Sequence, residues 1–217
     1  MSQKIIDLTH LLNESVSVYP GTTGPKFRFI ATVEKQGYAE LETTMVLHCG
    51  THIDAPSHII ANSRSLDQFD VEKFIGVAVV INCIGRKEID LEFLSSFKEQ
   101  ISKSEFILFY TGWQHKWKTP DYFLDCPTLT AESATWLTEF KLKGIGFDSF
   151  SVDRIIPAEI VTEEVMPNHT ILLGNDIILI ENLTNLDKLP EKEFQFQCLP
   201  LKIENADGSP VRALAFV

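Results

Sequence analysis

Apolar residues in this chain fall mostly in short runs rather than in long helical stripes. Runs rich in β-branched and aromatic residues predict strands over Ile5–Leu8, Lys26–Val33, Leu41–His48, Val77–Ile84 and Phe106–Tyr110, because such side chains pack well on a pleated surface. Four more follow at Gly144–Phe147, Ile177–Glu181, Phe194–Leu201 and Val211–Val217. Only two segments carry the helical period. Asp90 is placed to cap a helix over Leu91–Ile101, with Leu91, Leu94 and Phe97 or Lys98 at helical spacing. Thr130 is placed to cap a second over Ala131–Lys143, where Trp136, Leu137 and Phe140 form an apolar stripe and Gly144 ends it. Many strands and few helices predict a mixed α/β domain with a large sheet core.

The length of 217 residues fits one domain spanning 1–217. No repeat, low-complexity tract or linker divides it. The turn-rich stretch from Val16 to Pro25 reads as a loop. A 44% hydrophobic and 23% charged composition excludes disordered, collagen-like and coiled-coil classes. A net charge of −11 makes nucleic acid and anionic membrane poor partners, since both attractions need positive charge. Cys49, Cys83, Cys126 and Cys198 form no CxxC pair and read as reduced thiols of a cytosolic protein. The opening residues hold no apolar stretch of signal-peptide length. The longest apolar runs, Val77–Ile81 and Ile177–Ile180, fall far below the ~18 residues of a membrane span. A soluble, cytoplasmic protein is expected.

The chemistry concentrates in Leu47-His48-Cys49-Gly50-Thr51-His52-Ile53-Asp54-Ala55-Pro56-Ser57-His58, which holds three of the six histidines. Imidazoles and a carboxylate are usual ligands of Zn²⁺ and similar first-row ions. His48, His52, Asp54 and His58 share parity, so an extended chain points all four to one face. A helix would bring His48 and His52 together but turn Asp54 and His58 away, and Gly50 and Pro56 oppose a helix. A straight strand would spread these residues over roughly 33 Å, so Gly50 and Pro56 are expected to bend the chain around an ion. Elsewhere, His10 and His115 read as surface imidazoles. His169 precedes an apolar run that ends at Glu181, and spacing alone leaves both open as ligands. Ser149 and Ser151 lack a GxSxG elbow. Gly21-Thr-Thr-Gly24 lacks the Lys-Ser/Thr of a phosphate loop.

The segment from His48 to His58 resembles the HxGTHxDxPxH signature of the cyclase-type metal-dependent hydrolases, which include bacterial kynurenine formamidases and isatin hydrolases. The resemblance extends through Ile6-Asp-Leu-Thr9, Tyr19-Pro-Gly21, the GxDxxSxD stretch from Gly146 to Asp153, Glu181-Asn-Leu183 and Gly208-Ser-Pro-Val-Arg-Ala213. It implies a swivelling β/β/α domain, assembled as a homodimer or larger homo-oligomer. It implies that His48, His52 and Asp54 hold a first metal, with Asp54 bridging to a second on His169 and Glu181. His58 would be the catalytic acid/base. Zn²⁺, one ion or two, is the expected cofactor, with Mn²⁺ the alternative. The implied reaction is hydrolysis of an amide C–N bond in a small molecule, N-formylkynurenine or a related aryl or cyclic amide. Tyr19 stands where kynurenine formamidases carry Trp before Pro-Gly, and Thr22 where Asp often follows. Tyr19 is therefore a substrate contact with a smaller stacking face; Trp113 and Phe150 are further candidates. The alternatives are a metal-dependent cyclase or carbon–oxygen lyase, and a non-catalytic metal-binding module.

Overall fold

The structure is a computed structural model that describes residues 4–154 and 166–217. Its strands are β1 (Ile5–Asp7), β2 (Lys26–Ala31), β3 (Glu40–Thr44), β4 (His52–Asp54), β5 (Ile75–Asn82), β6 (Glu88–Ile89), β7 (Phe106–Tyr110), β8 (Thr128–Leu129), β9 (Gly144–Phe147), β10 (Ile178–Glu181), β11 (Phe194–Pro200) and β12 (Gly208–Phe216). The α-helices among the described residues are α1 (Val33–Gln36), α2 (Leu91–Ser95), α3 (Lys98–Lys103), α4 (Ala131–Leu137) and α5 (Pro167–Gly174). This is the expected mixed α/β architecture with a large mixed sheet and few helices.

Eight strands form one sheet in the order β1-β12-β11-β5-β7-β9-β10-β4. The long strand β12 closes it. One edge of β12 pairs with β11. Its other edge pairs first with β4, through residues 208–210, and then with β1, through residues 214–216. Seven strands thus form a barrel, with β1 as a flap on β12. The run β5, β7, β9, β10 is parallel, and the remaining pairs are antiparallel. Alternation along β7 explains how the barrel fills. Phe106 and Leu108 point inward with Phe196, Ile178, Ile180 and Ile53. Ile107 and Phe109 point outward, against Leu94, Ile101, Leu137 and Leu172 of the helices. A strand buried on both faces reads as a continuous apolar run, and β7 does.

Two predicted helices are shorter than expected. Asp90 does cap α2, accepting from Phe93 N at 2.8 Å. The helix then breaks at Phe97, whose φ of −101° and ψ of 8° restart it as α3. Thr130 caps α4 through Ser133 N at 3.2 Å. Beyond Leu137 the amides of residues 138–140 reach back only three residues, so a tight turn replaces the last predicted turns. The predicted strand over 41–48 ends at Thr44. Helix α5 was not foreseen. Residues β2 and β3 form a separate two-stranded hairpin on which Phe29, Ile30 and Leu41 lie exposed.

Candidate metal centre

The barrel's register assembles the centre. On β4, Ile53 points inward, so His52 and Asp54 point outward. The antiparallel partner β10 sets Glu181 opposite His52 and Leu179 opposite Asp54, and directly opposed side chains share a face. Leu179 packs with Leu172 and Leu173 of α5 on that face, and the first turn of α5 carries His169. His48 arrives from the bend before β4, where Gly50 adopts a φ of +68°, a conformation that glycine enters without strain. His58 ends a single 3₁₀ turn, Pro56–His58, begun by proline at its first position.

The chain is therefore not extended through all four parity-matched residues. The expected strand face holds for His52 and Asp54, and bends on either side bring in His48 and His58. The structure gathers His48, His52, Asp54, His58, His169 and Glu181 around one cavity of about 530 Å³. His48 Nδ1 lies 2.6 Å from Asp54 Oδ1, and His52 Nε2 lies 3.3 Å from the same oxygen. His169 Nε2 is 3.8 Å from Asp54 Oδ2 and 3.4 Å from Glu181 Oε1. Three donor sets follow, His48/His52/Asp54, Asp54/His169/Glu181 and His48/His58/Asp207, each with its ligand atoms within 4.8 Å of one another. Asp54 belongs to the first two.

These residues fit a divalent cation. Glu181 Oε1 is buried without a hydrogen-bond partner among the described residues, an arrangement that costs free energy unless a charge or donor meets it. The imidazoles are oriented from behind. His52 Nδ1 donates to Gly50 O at 2.9 Å, and His169 Nδ1 donates to Asp153 Oδ2 at 2.7 Å. Each ring therefore presents Nε2 to the carboxylates, as outer partners do in metal sites. Asn182 Nδ2 donates to the same Gly50 carbonyl at 2.9 Å, and Tyr122 Oη donates to Asn182 Oδ1 at 2.6 Å.

Crowding of charged groups shows in their proton affinities. Burial pushes Glu181 up, and the Asp54 charge pushes it further. Burial would also raise Asp54, but His52 and His48 outweigh it and hold that carboxyl well below its usual range. Burial opposes charge on His169 and His48, yet carboxylates win at both: Asp153 and Glu181 lift His169 to about 10, and Asp54 and Asp207 lift His48 to about 9. Carboxylates lift His52 as well, so that of the four clustered imidazoles His58 alone is lowered, by burial and by His48 and His169.

Sequence reasoning missed three contributors. Asp207 places Oδ2 3.1 Å from His48 Nε2 and 3.6 Å from His58 Nδ1. Asp153 holds His169, although the GxDxxSxD stretch that contains it was noted. Phe123 lines the cavity with Phe150 and Tyr19; its ring lies 4.9 Å from Phe150 and 6.4 Å from Tyr19. Trp113 is not against the cavity: its Nε1 donates to Tyr122 O and its ring lies under Lys116. His10 and His115 stand away from the centre. His10 is not a solvated imidazole but stacks on Trp117 at 4.2 Å.

The sequence profile of the Cyclase family matches residues 6–154 of this chain. A kynurenine formamidase of Bacillus cytotoxicus is 30% identical over 210 residues, covering 96% of this chain and 95% of that protein. The kynurenine formamidase of Geobacillus thermodenitrificans is 31% identical over the same shares. Among solved structures, isatin hydrolase A from Labrenzia aggregata bound to benzyl benzoate superposes with a TM-score of 0.87 at 29% identity, covering 99% of this chain and 94% of that one. The chain belongs to the Cyclase family. Within it, the protein is a hydrolase acting on carbon–nitrogen bonds other than peptide bonds.

Proposed function

We propose that this protein hydrolyses an aryl formamide or cyclic aryl amide, with N-formylkynurenine and isatin as the named candidates. The observation that carries this reading is the sharing of Asp54 by two donor sets, with His58 beside them in a cavity that Tyr19, Phe123 and Phe150 also line. His48, His52 and Asp54 would hold a first ion, and His169 and Glu181 with Asp54 a second. Zn²⁺ suits this mixed imidazole–carboxylate set, and Mn²⁺ is the alternative. A divalent cation held there supplies Lewis acidity, acidifying a water molecule and polarising an amide carbonyl.

The chain's own residues do the rest. His58 sits with its ring 4.0 Å from that of His48 and 6.2 Å from that of His169. Its lowered proton affinity keeps it neutral near pH 7, so it can take a proton from the attacking water. It then returns that proton to the leaving nitrogen as the C–N bond breaks. Asp207, 3.6 Å from His58 Nδ1, faces the imidazolium formed in between. Tyr19, Phe123 and Phe150 offer ring faces and edges to an aromatic substrate. The hairpin residues Phe29, Ile30, Val33, Tyr38 and Leu41 form exposed apolar surface suited to a second copy, which supports a homodimer.

The test is turnover of N-formylkynurenine and isatin by Zn²⁺-loaded protein in heavy-oxygen water. The proposal expects kcat/KM of at least ~10⁴ M⁻¹s⁻¹ on one of them, with label in the product acid. Turnover without label would point instead to a cyclase or carbon–oxygen lyase. No turnover of either compound would remove both substrates.

A further inference from the structure

The geometry points to Asp153 as a positioning residue that joins the start of helix α5 to the His169 imidazole, so that one carboxylate sets both the helix and the ring it carries. This rests on the reading of His169 as a metal ligand.

Helix α5 lacks a cap of its own. Its N-cap position is Met166, whose side chain makes no capping hydrogen bond, and Pro167 follows at the first helical position. The exposed amides of a first helical turn still need acceptors. Asp153 supplies them from outside the helix. Its Oδ1 accepts from Asn168 N at 3.0 Å and its Oδ2 accepts from His169 N at 3.0 Å. These are the second and third helical residues, which a local N-cap side chain normally serves. The same Oδ2 accepts from His169 Nδ1 at 2.7 Å. Asn168 adds a second tie in the same direction, donating from Nδ2 to Leu129 O at 2.9 Å and Val152 O at 3.2 Å.

The consequence is a fixed relation between helix and site. Asp153 is only 4% exposed, so a charge there is tolerable because three N–H groups and the positive end of a helix surround it. With Nδ1–H committed to Asp153, the neutral His169 ring carries its lone pair on Nε2, the atom facing Asp54 and Glu181. A local cap at position 166 could stabilise the helix but could not hold the ring. That difference makes the two roles separable.

Asp153→Asn keeps the shape and one accepting oxygen but removes the charge. The metal-free variant should melt about 2–4 °C lower than wild type, and competition with a chromophoric chelator should show Zn²⁺ bound 10–100-fold more weakly. His169→Ala identifies which Zn²⁺ depends on that ring, and adding Asp153→Asn to it should cost no further affinity. Met166→Ser, which supplies a local cap, should recover the melting temperature of Asp153→Asn but not its Zn²⁺ affinity. Unchanged affinity in Asp153→Asn, an undiminished effect in the His169→Ala background, or recovery of affinity by Met166→Ser would each overturn the inference. Wild-type protein that binds no Zn²⁺ would overturn the reading of the centre itself, and this inference with it.

Discussion

Gly208 is the smallest change that reaches the centre without touching a donor. It sits at the start of β12, opposite Asp54 in the barrel-closing pair. A Cβ there would lie 2.6 Å from His48 Cε1, 2.8 Å from His48 Nε2 and 3.0 Å from Ile53 O. Real Cβ contacts essentially never fall below 3.0 Å and ordinary contact begins at 3.4 Å, so the imidazole must retreat by at least 0.4 Å and by 0.8 Å to reach ordinary contact. It has little freedom to do so, being held by Asp54 at 2.6 Å and Asp207 at 3.1 Å. Metal–ligand distances tolerate only about 0.2 Å, and a misplacement near 1 Å costs about 10² in rate. Gly208→Ala should therefore lower Zn²⁺ affinity by at least tenfold and kcat/KM by about 10²-fold, roughly 2.7 kcal/mol. The backbone of Gly208 needs no left-handed conformation, so the fold should survive, with an overpacking cost of about 1–3 kcal/mol. Zn²⁺ titration, steady-state kinetics and thermal melting of the same preparation separate these effects. A folded Gly208→Ala protein with wild-type Zn²⁺ affinity and wild-type turnover would refute the placement of His48 at the ion.

Three further outcomes are expected. His58→Ala should lose turnover while retaining Zn²⁺, read by elemental analysis alongside kinetics; loss of the ion would make His58 a ligand instead. Asp54→Ala should lose bound metal from both donor sets, and a fully metallated, active variant would sink the shared-carboxylate reading. His10 is held down to about 4 by burial and by Lys118, whereas an unfolded imidazole titrates near 6.5. The unfolded chain thus takes up this proton first, and stability falls as pH drops from 6.5 to 4, by at most about 3 kcal/mol, less whatever solvent screens at the partly exposed ring. His10→Phe keeps the stack on Trp117 and should flatten that part of the pH profile of the metal-free protein; identical profiles would contradict it.

Parity was enough to pair His52 with Asp54, because side-chain alternation is a local property of a strand. Parity alone does not bring His48 and His58 to the same point; the bends expected at Gly50 and Pro56 do, as a left-handed glycine and a 3₁₀ turn. Parity could not foresee Asp207, which meets His48 only because β12 crosses back to close the barrel on β4. Helix α5 was hidden for a related reason: Asn168, His169, Leu172 and Leu173 are all buried, so no polar face marks its period. The break in the helix predicted over 91–101 likewise left no mark in its apolar spacing. The strands β7 and β9, by contrast, have the predicted bounds, because burial on both faces writes an uninterrupted apolar run.

The most direct test of the central claim is titration of metal-free protein with Zn²⁺ while turnover of the amide substrate is followed. The account predicts no hydrolysis without the ion, activity rising with bound Zn²⁺ to a plateau at one or two equivalents, and its loss on adding chelator. Hydrolysis by the metal-free protein, at a rate unchanged by Zn²⁺ or chelator, would contradict it.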